Sequence, residues 1–271
     1  MEDNYFKNGK PIHRMSFCAF LDILGFTARM EESYGVGKAD ELLEEFYEIF
    51  SNQIEIMKKD VNETLLYFKS FSDNILLAYP QFSNDMESEF SFILWSIQDY
   101  QLAMAIKGFF IRGGLSVGKL FIDENNVYGE ALIEAYGLEN KVAINPMVVL
   151  GQNVKELVDH HITYYANESA PQLQDVLVNN DGQYFINYLS KCIIEGFEER
   201  ILNIDFLKMH RDRINEALIK NADNPQVFSK FVWLASYHNY FCDSLSGYSN
   251  YSDKLRVDYN LYEIRFRKIN E

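Results

Sequence analysis

Scarcities narrow the class of this 271-residue chain before any motif does. It holds three cysteines, Cys18, Cys192 and Cys242. They lie far apart and share no zinc-ligand spacing, and no signal peptide precedes them, so they read as reduced thiols of a cytoplasmic protein. Proline is scarce too, at five residues, and no stretch is rich in Pro, Gly or Ser, which excludes collagen-like and low-complexity chains. The longest apolar runs are strand-sized, well short of the ~20 residues that a spanning helix needs, so no membrane partner is expected. Cations are outnumbered: 25 Lys plus Arg stand against 40 Asp plus Glu, a formal net charge of −15. So acidic a surface repels phosphate backbones, and no nucleic-acid partner is expected. A nucleotide substrate stays open, because divalent metals supply positive charge locally. What is present is ordinary for a globular chain, 48% hydrophobic and 24% charged. The length suits one sizeable domain, alone or with a smaller one appended.

Along the chain, residues 1–13 are polar with Gly9 and Pro11 and read as a flexible lead-in. Residues 17–24 form a nearly continuous apolar run, the mark of a buried central strand, broken only by Asp22. Gly25 permits a sharp turn before a helical segment from Thr27. Apolar residues at helical spacing from Ala39 to Lys59 predict a second helix. The segments 64–71 and 74–79 predict an antiparallel hairpin joined at Ser72-Asp73. A helix over 88–107, a strand over 109–117, a turn at 123–126, a helix over 129–143 and a short strand over 147–150 complete the series. The pattern is βααββαβ followed by one more helix and strand, an α+β palm-like sheet with helices on one side. Beyond it, 176–189 reads as one strand or a hairpin around Asp181-Gly182, 195–221 and 226–239 as helices, and 255–268 as a last strand. The expected division is a catalytic domain over 14–155 and a mostly helical extension over 156–271 packed on it.

Asp22 and Asp73 are the informative pair. An unpaired carboxylate in an apolar strand is costly enough to demand compensation, and the hairpin tip carrying Asp73 is expected beside that strand. Two carboxylates brought together repel unless one is protonated or a cation lies between them. Two divalent ions held by two Asp side chains are the apparatus of in-line phosphoryl transfer. Just beyond Asp22, the turn Ile23-Leu24-Gly25-Phe26-Thr27 exposes backbone amides at a helix start, a seat for a triphosphate. The plain alternative makes Asp22 a salt-bridged core residue and Asp73 a turn residue.

The segment Phe20-Leu21-Asp22-Ile23-Leu24-Gly25-Phe26-Thr27 resembles the first metal motif of the class III nucleotidyl cyclases, and Lys69-Ser70-Phe71-Ser72-Asp73 resembles their second. Residues 111–118 (IRGGLSVG) are similar to the strand that follows in those enzymes. Residues 127–131 (VYGEA) leading to Leu138-Glu139 are similar to their dimer-interface helix. Purine-specific members carry an Asn and an Arg on that helix where this chain has Ile133 and Gly137, and an Asp where it has Asn126. The phrases FSDN (71–74), RGG (112–114) and KFVWLA (230–235) resemble the pyrimidine cyclases of the bacterial Pycsar anti-phage system.

That resemblance implies a homodimer converting UTP to 3′,5′-cyclic UMP and pyrophosphate, with CTP or ATP as alternative substrates. Asp22, Asp73 and the Ile23 carbonyl would hold two Mg²⁺ or Mn²⁺ ions, and the amides of Leu24, Gly25, Phe26 and Thr27 would cradle the triphosphate. Lys69 and Asn126 would read the base, and Arg112 would stabilise transferred charge. Each has a plainer reading: Lys69 as a solvated strand residue, Asn126 as a turn residue, Arg112 as the partner of a surface acid. His160, His161 and His238 read as structural, and Lys141 as an ordinary C-terminal helix lysine. A reading from another class is a non-catalytic, nucleotide-sensing dimerisation module, suggested by the missing Asn and Arg.

Overall fold

Residues 4–60, 65–166, 169–195, 200–258 and 266–270 are described by a computed structural model. Strands β1 (Phe6–Lys7) and β2 (Lys10–Pro11) form a small antiparallel hairpin. These two strands lie within the segment 1–13 expected as a flexible lead-in, of which residues 4–13 are described. Tyr5 is fully buried, its hydroxyl shares a 2.7 Å hydrogen bond with Ser16 Oγ, and its ring meets Tyr67 and Phe121 edge-on. One aromatic anchor thus ties a polar segment to the sheet, an effect that local composition does not carry.

The elements then follow in the predicted order, with one unpredicted strand, β7, added after the turn: β3 (Arg14–Ile23), α1 (Phe26–Gly35), α2 (Ala39–Asp60), β4 (Tyr67–Phe71), β5 (Asn74–Pro80), α3 (Glu87–Ala105), β6 (Ile111–Ile122), β7 (Val127–Gly129), α4 (Glu130–Lys141) and β8 (Val148–Leu150). The later part comprises α5 (Gln152–Ile162), a single turn α6 (Gln172–Asp175), the hairpin β9 (Val176–Val178) and β10 (Tyr184–Ile186), β11 (Ile193–Glu195) paired with β12 (Arg200–Leu202), α7 (Ile204–Lys220), α8 (Pro225–Asp243) and β13 (Arg267–Lys268). The expected helix over 195–221 therefore begins only at Ile204. Asn203 sets that start, its side chain accepting a hydrogen bond from the Phe206 amide. Of the strand expected over 255–268, Arg267–Lys268 pairs with β9, and 259–265 lie outside the described residues.

The fold is α+β, built on a nine-stranded, mostly antiparallel sheet in the order β13-β9-β10-β8-β6-β3-β5-β4, with β7 paired to β6. β3 is central, hydrogen-bonded to β6 on one side and β5 on the other. Its odd-numbered residues (Phe17, Ala19, Leu21, Ile23) share a core with residues of α2, α3 and α5. Its even-numbered residues Cys18 and Phe20 pack with Ala131 and Ala135 of α4. Farther along this second face, Val149, Leu177 and Phe185 pack with α7 and α8. Helices thus cover both faces, not one: strands buried on both sides need two apolar covers, and the C-terminal helices supply much of the second. β9, β10 and β13 all follow residue 155 and join the same sheet.

Two adjacent glycines set how closely α4 approaches. A Cβ on Gly114 would lie 2.4 Å from Leu138 Cβ and 2.5 Å from the Ala135 carbonyl oxygen, and one on Gly113 would lie 2.5 Å from the Phe20 oxygen. The helix rests directly on the backbone of β6, and this contact lowers its residue 139 onto the end of β3.

Candidate active site

Asp22 lies one residue before the end of β3, directly opposite Arg112 of β6 in the antiparallel register. Arg112 Nε donates to Asp22 Oδ2 at 2.8 Å, and Arg112 Nη2 stands 2.6 Å from Glu139 Oε1 on α4. The contact with Glu139 is an ion pair without hydrogen-bond alignment, so that buried oxygen stays unsatisfied. Arg112 therefore binds the central strand to the helix above it through two carboxylates.

The β4–β5 turn brings Asp73 to the same place. Ser72 adopts a left-handed backbone (φ 54°), uncommon for a residue with a side chain. Ser72 Oγ and Asn74 Nδ2 donate to Asp73 Oδ1 at 2.9 and 3.4 Å. The Asp73 carboxyl stands close enough to that of Asp22 for the two to interact electrostatically. Burial pushes the Asp22 carboxyl above the usual carboxylate range, Arg112 opposes that shift, and the neighbouring Asp73 adds to it. Glu139 is raised as well, chiefly by burial, with Arg112 opposing and both aspartates contributing. Two carboxylates share the Arg112 guanidinium and a third, Asp73, stands beside them, so acids outnumber the cation that contacts them.

That imbalance, with an oxygen-only donor set, fits hard divalent cations such as Mg²⁺ or Mn²⁺. Among the described residues no group of three or more His, Cys, Asp or Glu is arranged to hold a metal by itself. Two carboxylates with the remaining positions left to phosphate and water match the way Mg²⁺ is commonly held.

Beyond Ile23 the chain turns at Gly25 (φ 72°) into α1, whose N-terminus has no side-chain cap. Its first-turn amides are therefore left for an outside acceptor. Ile23, Leu24, Gly25 and Phe26 line a cavity of about 500 Å³, whereas the exposed Thr27 does not.

Lys69 and Asn126 come together elsewhere. Lys69 Nζ donates to the Glu124 carbonyl in the β6–β7 turn. In that turn Asp123 Oδ1 accepts from the Asn125 and Asn126 amides at 2.8 and 2.7 Å, which holds the Asp123 carboxyl below its usual range. Asn126 Nδ2 points to Asp123 at 3.3 Å, and Asn126 Oδ1 accepts from Tyr128 Oη at 3.1 Å. Among the described residues no hydrogen bond joins this cluster to the Asp22–Asp73 pair. Ile133 is exposed on α4, and Gly137 has open space around its Cα.

The histidines are structural where the structure describes their contacts. His161 Nε2 lies 2.8 Å from the Asp85 carbonyl oxygen and His238 Nε2 2.8 Å from that of Leu255. Three site residues escaped the sequence reading of roles. Glu139 continues the buried stripe Ala131, Ala135 on α4, and an acid at helical spacing on an apolar face was the available signal. Tyr100 of α3 is buried, its hydroxyl has no hydrogen-bond partner among the described residues, and burial and the charges of Asp73 and Asp22 raise its pKa. Lys230 of α8 lies within electrostatic reach of both Arg112 and Asp22, a proximity that no sequence spacing announces.

No family model matches the chain, and no curated protein does. Solved structures similar to it include the monomeric guanylyl cyclase domain of the RhoGC fusion protein from the aquatic fungus Blastocladiella emersonii. That likeness has a TM-score of 0.45 and 16% identity and covers 64% of this chain and 95% of that one. The guanylate cyclase domain of RhGC from Catenaria anguillulae, in complex with GTP, gives 0.44 and 15%, covering 64% and 96%. A class III adenylyl cyclase-like ATP-binding protein from Pseudomonas aeruginosa gives 0.45 and 14%, covering 60% and 39%. Likenesses of this size carry no role over to any residue here. Among the described residues, no helix is long and apolar enough to cross a membrane.

Proposed function

We propose that this chain is a nucleotide cyclase that converts a pyrimidine nucleoside triphosphate, UTP foremost, to its 3′,5′-cyclic monophosphate and pyrophosphate. The observation that carries the reading is the meeting of Asp22 and Asp73 beside the uncapped start of α1. Asp22, Asp73 and the Ile23 carbonyl would hold two Mg²⁺ or Mn²⁺ ions, which when bound would make the ribose 3′-hydroxyl more acidic and offset charge on the departing pyrophosphate. Arg112 keeps the Asp22 carboxylate in one orientation through its 2.8 Å hydrogen bond and offsets part of the local negative charge. The amides of Gly25, Phe26 and Thr27 would donate to phosphate oxygens at the positive end of α1, whereas that of Leu24, expected to join them, is taken by the Phe110 carbonyl at 2.8 Å. Ring closure then needs only the 3′-oxygen aligned behind the α-phosphorus, an effect of positioning and electrostatics.

Lys69 and Asn126 read the base in this proposal, and the Lys69–Glu124 contact gives them a common turn. Asn126 Oδ1 uses one lone pair on Tyr128 and keeps another for the uracil ring N–H, leaving Lys69 for an exocyclic oxygen. Among the described residues no hydrogen bond joins the two clusters, and a head-to-tail homodimer would let each base site face a partner's metal site. Exposed Phe71, Ile133 and Tyr136 offer apolar contact for it. From the Pycsar-like phrases, the product is read as a messenger in anti-phage defence.

Incubation of the purified protein with each of the four labelled ribonucleoside triphosphates and Mn²⁺, followed by chromatography, tests the proposal. Cyclic UMP is the expected main product, and absence of any cyclic product refutes enzymatic activity. The exposed Ile133 and open Gly137, in place of an Asn and an Arg, favour the second reading of a nucleotide sensor. Tight triphosphate binding without turnover would establish that one instead.

A further inference from the structure

The cavity at the start of α1 is walled on its far side by α7 and the first turns of α8. Its three glutamates are already matched: Glu45 with Arg29 at 3.5 Å, Glu216 with Arg213 at 2.7 Å and Glu32 with Lys220 at 2.5 Å. Lys230 also lines it, is partly buried, and forms no hydrogen bond or ion pair among the described residues. Burial and repulsion from Arg112 lower its pKa, with Asp22 pulling the other way. A partly buried lysine thus lines the same space as the start of α1, whose N-terminus has no side-chain cap among the described residues. Both walls present donors, and the three glutamates lining the cavity are each paired with another cation, an arrangement that suits an anion brought from outside. At about 500 Å³ the space exceeds what a single phosphate fills and has room for a chain of phosphates. In a protein of net charge −15, such a chain is retained only where cations are concentrated locally.

We propose that Lys230 binds the β- and γ-phosphates of the substrate, so that the C-terminal helices form the far wall of the triphosphate site within the same chain. This rests on the cyclase reading for the identity of the substrate, although the phosphate site itself does not. On cyclisation the 3′-oxygen–Pα bond forms and the bond from Pα to the bridging oxygen breaks, its electron pair leaving with pyrophosphate. The hydroxyl proton passes to solvent. The Lys230 ammonium offsets the negative charge that pyrophosphate gains. The extension is thus a working part of the site, and its packing against β8 and β10 positions a ligand-binding side chain.

The test uses the full chain and inorganic tripolyphosphate as probe, with binding measured by titration calorimetry and thermal melting as the folding control. Lys230→Met is expected to weaken binding about tenfold or more, the loss of one charge-assisted contact. It should raise KM for the triphosphate by a similar factor. Lys230→Arg should restore most of both. Lys208→Met, on an exposed α7 position outside the cavity, removes the same charge and should bind as wild type. Unchanged binding in Lys230→Met, equal weakening in Lys208→Met, or no tripolyphosphate binding by wild type would each overturn the assignment. The two ideas fail separately: turnover with an indifferent Lys230 removes only the phosphate contact. Lys230-dependent binding with no cyclic product removes only the cyclase.

Discussion

At Asp22, burial and a second carboxylate push the pKa up while Arg112 pulls it down, and the upward influences win. A carboxyl whose pKa is raised by folding favours the folded state while protonated, and that contribution is lost as the pH rises through the carboxylate range, above ~4. Asp73→Ala removes part of the repulsion. In metal-free buffer the variant should gain on wild type as the pH rises from ~4 to neutrality, measured by urea unfolding, and a variant less stable at neutral pH would contradict this. Arg112→Met should act in the opposite sense, costing ~3 kcal/mol by stranding the largely buried Asp22 and Glu139 carboxylates, read from the same unfolding curves. Asp22 was legible in the sequence because a charge interrupts an apolar run. Its partnership with Arg112 was not, because it depends on the β3–β6 register, and a shift of one residue would turn Arg112 to the other face.

At the scale of elements, the contact between α4 and β6 decides whether Glu139 and Arg112 meet. Gly114→Ala would place a methyl group 2.4 Å from Leu138 Cβ and 2.5 Å from a backbone oxygen, and should cost ~1–3 kcal/mol or more by lifting the helix. Gly137→Ala, on the same helix with nothing within 4 Å, should stabilise by ~0.5–1 kcal/mol through helix propensity. Denaturation midpoints of the two variants check the pair, and shifts of the same sign would count against the packing described. The order of elements was readable from periodicity and from turn residues such as Ser72-Asp73. The two-sided cover was not, because α7 and α8 follow the strands they shield, β8, β9 and β10, as separate segments, and tertiary packing, not local pattern, places them there.

Over the whole molecule, one buried chain of hydrogen bonds fastens the C-terminal segment. The Leu255 carbonyl can only accept, so His238 Nε2 carries a proton and its Nδ1 accepts, at 3.0 Å, from His210 Nδ1–H; His210 Nε2 then accepts from Tyr188 Oη at 2.7 Å. Burial lowers both imidazoles, His238 to about 4. Since a depressed histidine pKa means that the unfolded chain takes up the proton first, this contribution to stability is full above ~6.5 and fades as the pH falls toward ~4. Nitrogen NMR at pH ~5.5 should find both rings neutral, and a His238 titration near the usual histidine value would contradict the burial. The sequence marked His238 as structural from its place on an apolar helix, while the pairing with His210 needed the fold. The central claim concerns the far end of the sheet, where Asp22 and Asp73 are to share divalent cations. Electron paramagnetic resonance of Mn²⁺, titrated into the protein with a non-cyclisable UTP analogue, tests it most directly. Two bound ions per chain in wild type, with loss of binding in both Asp22→Ala and Asp73→Ala, is the result the account predicts. Equal Mn²⁺ binding by wild type and both variants would contradict it.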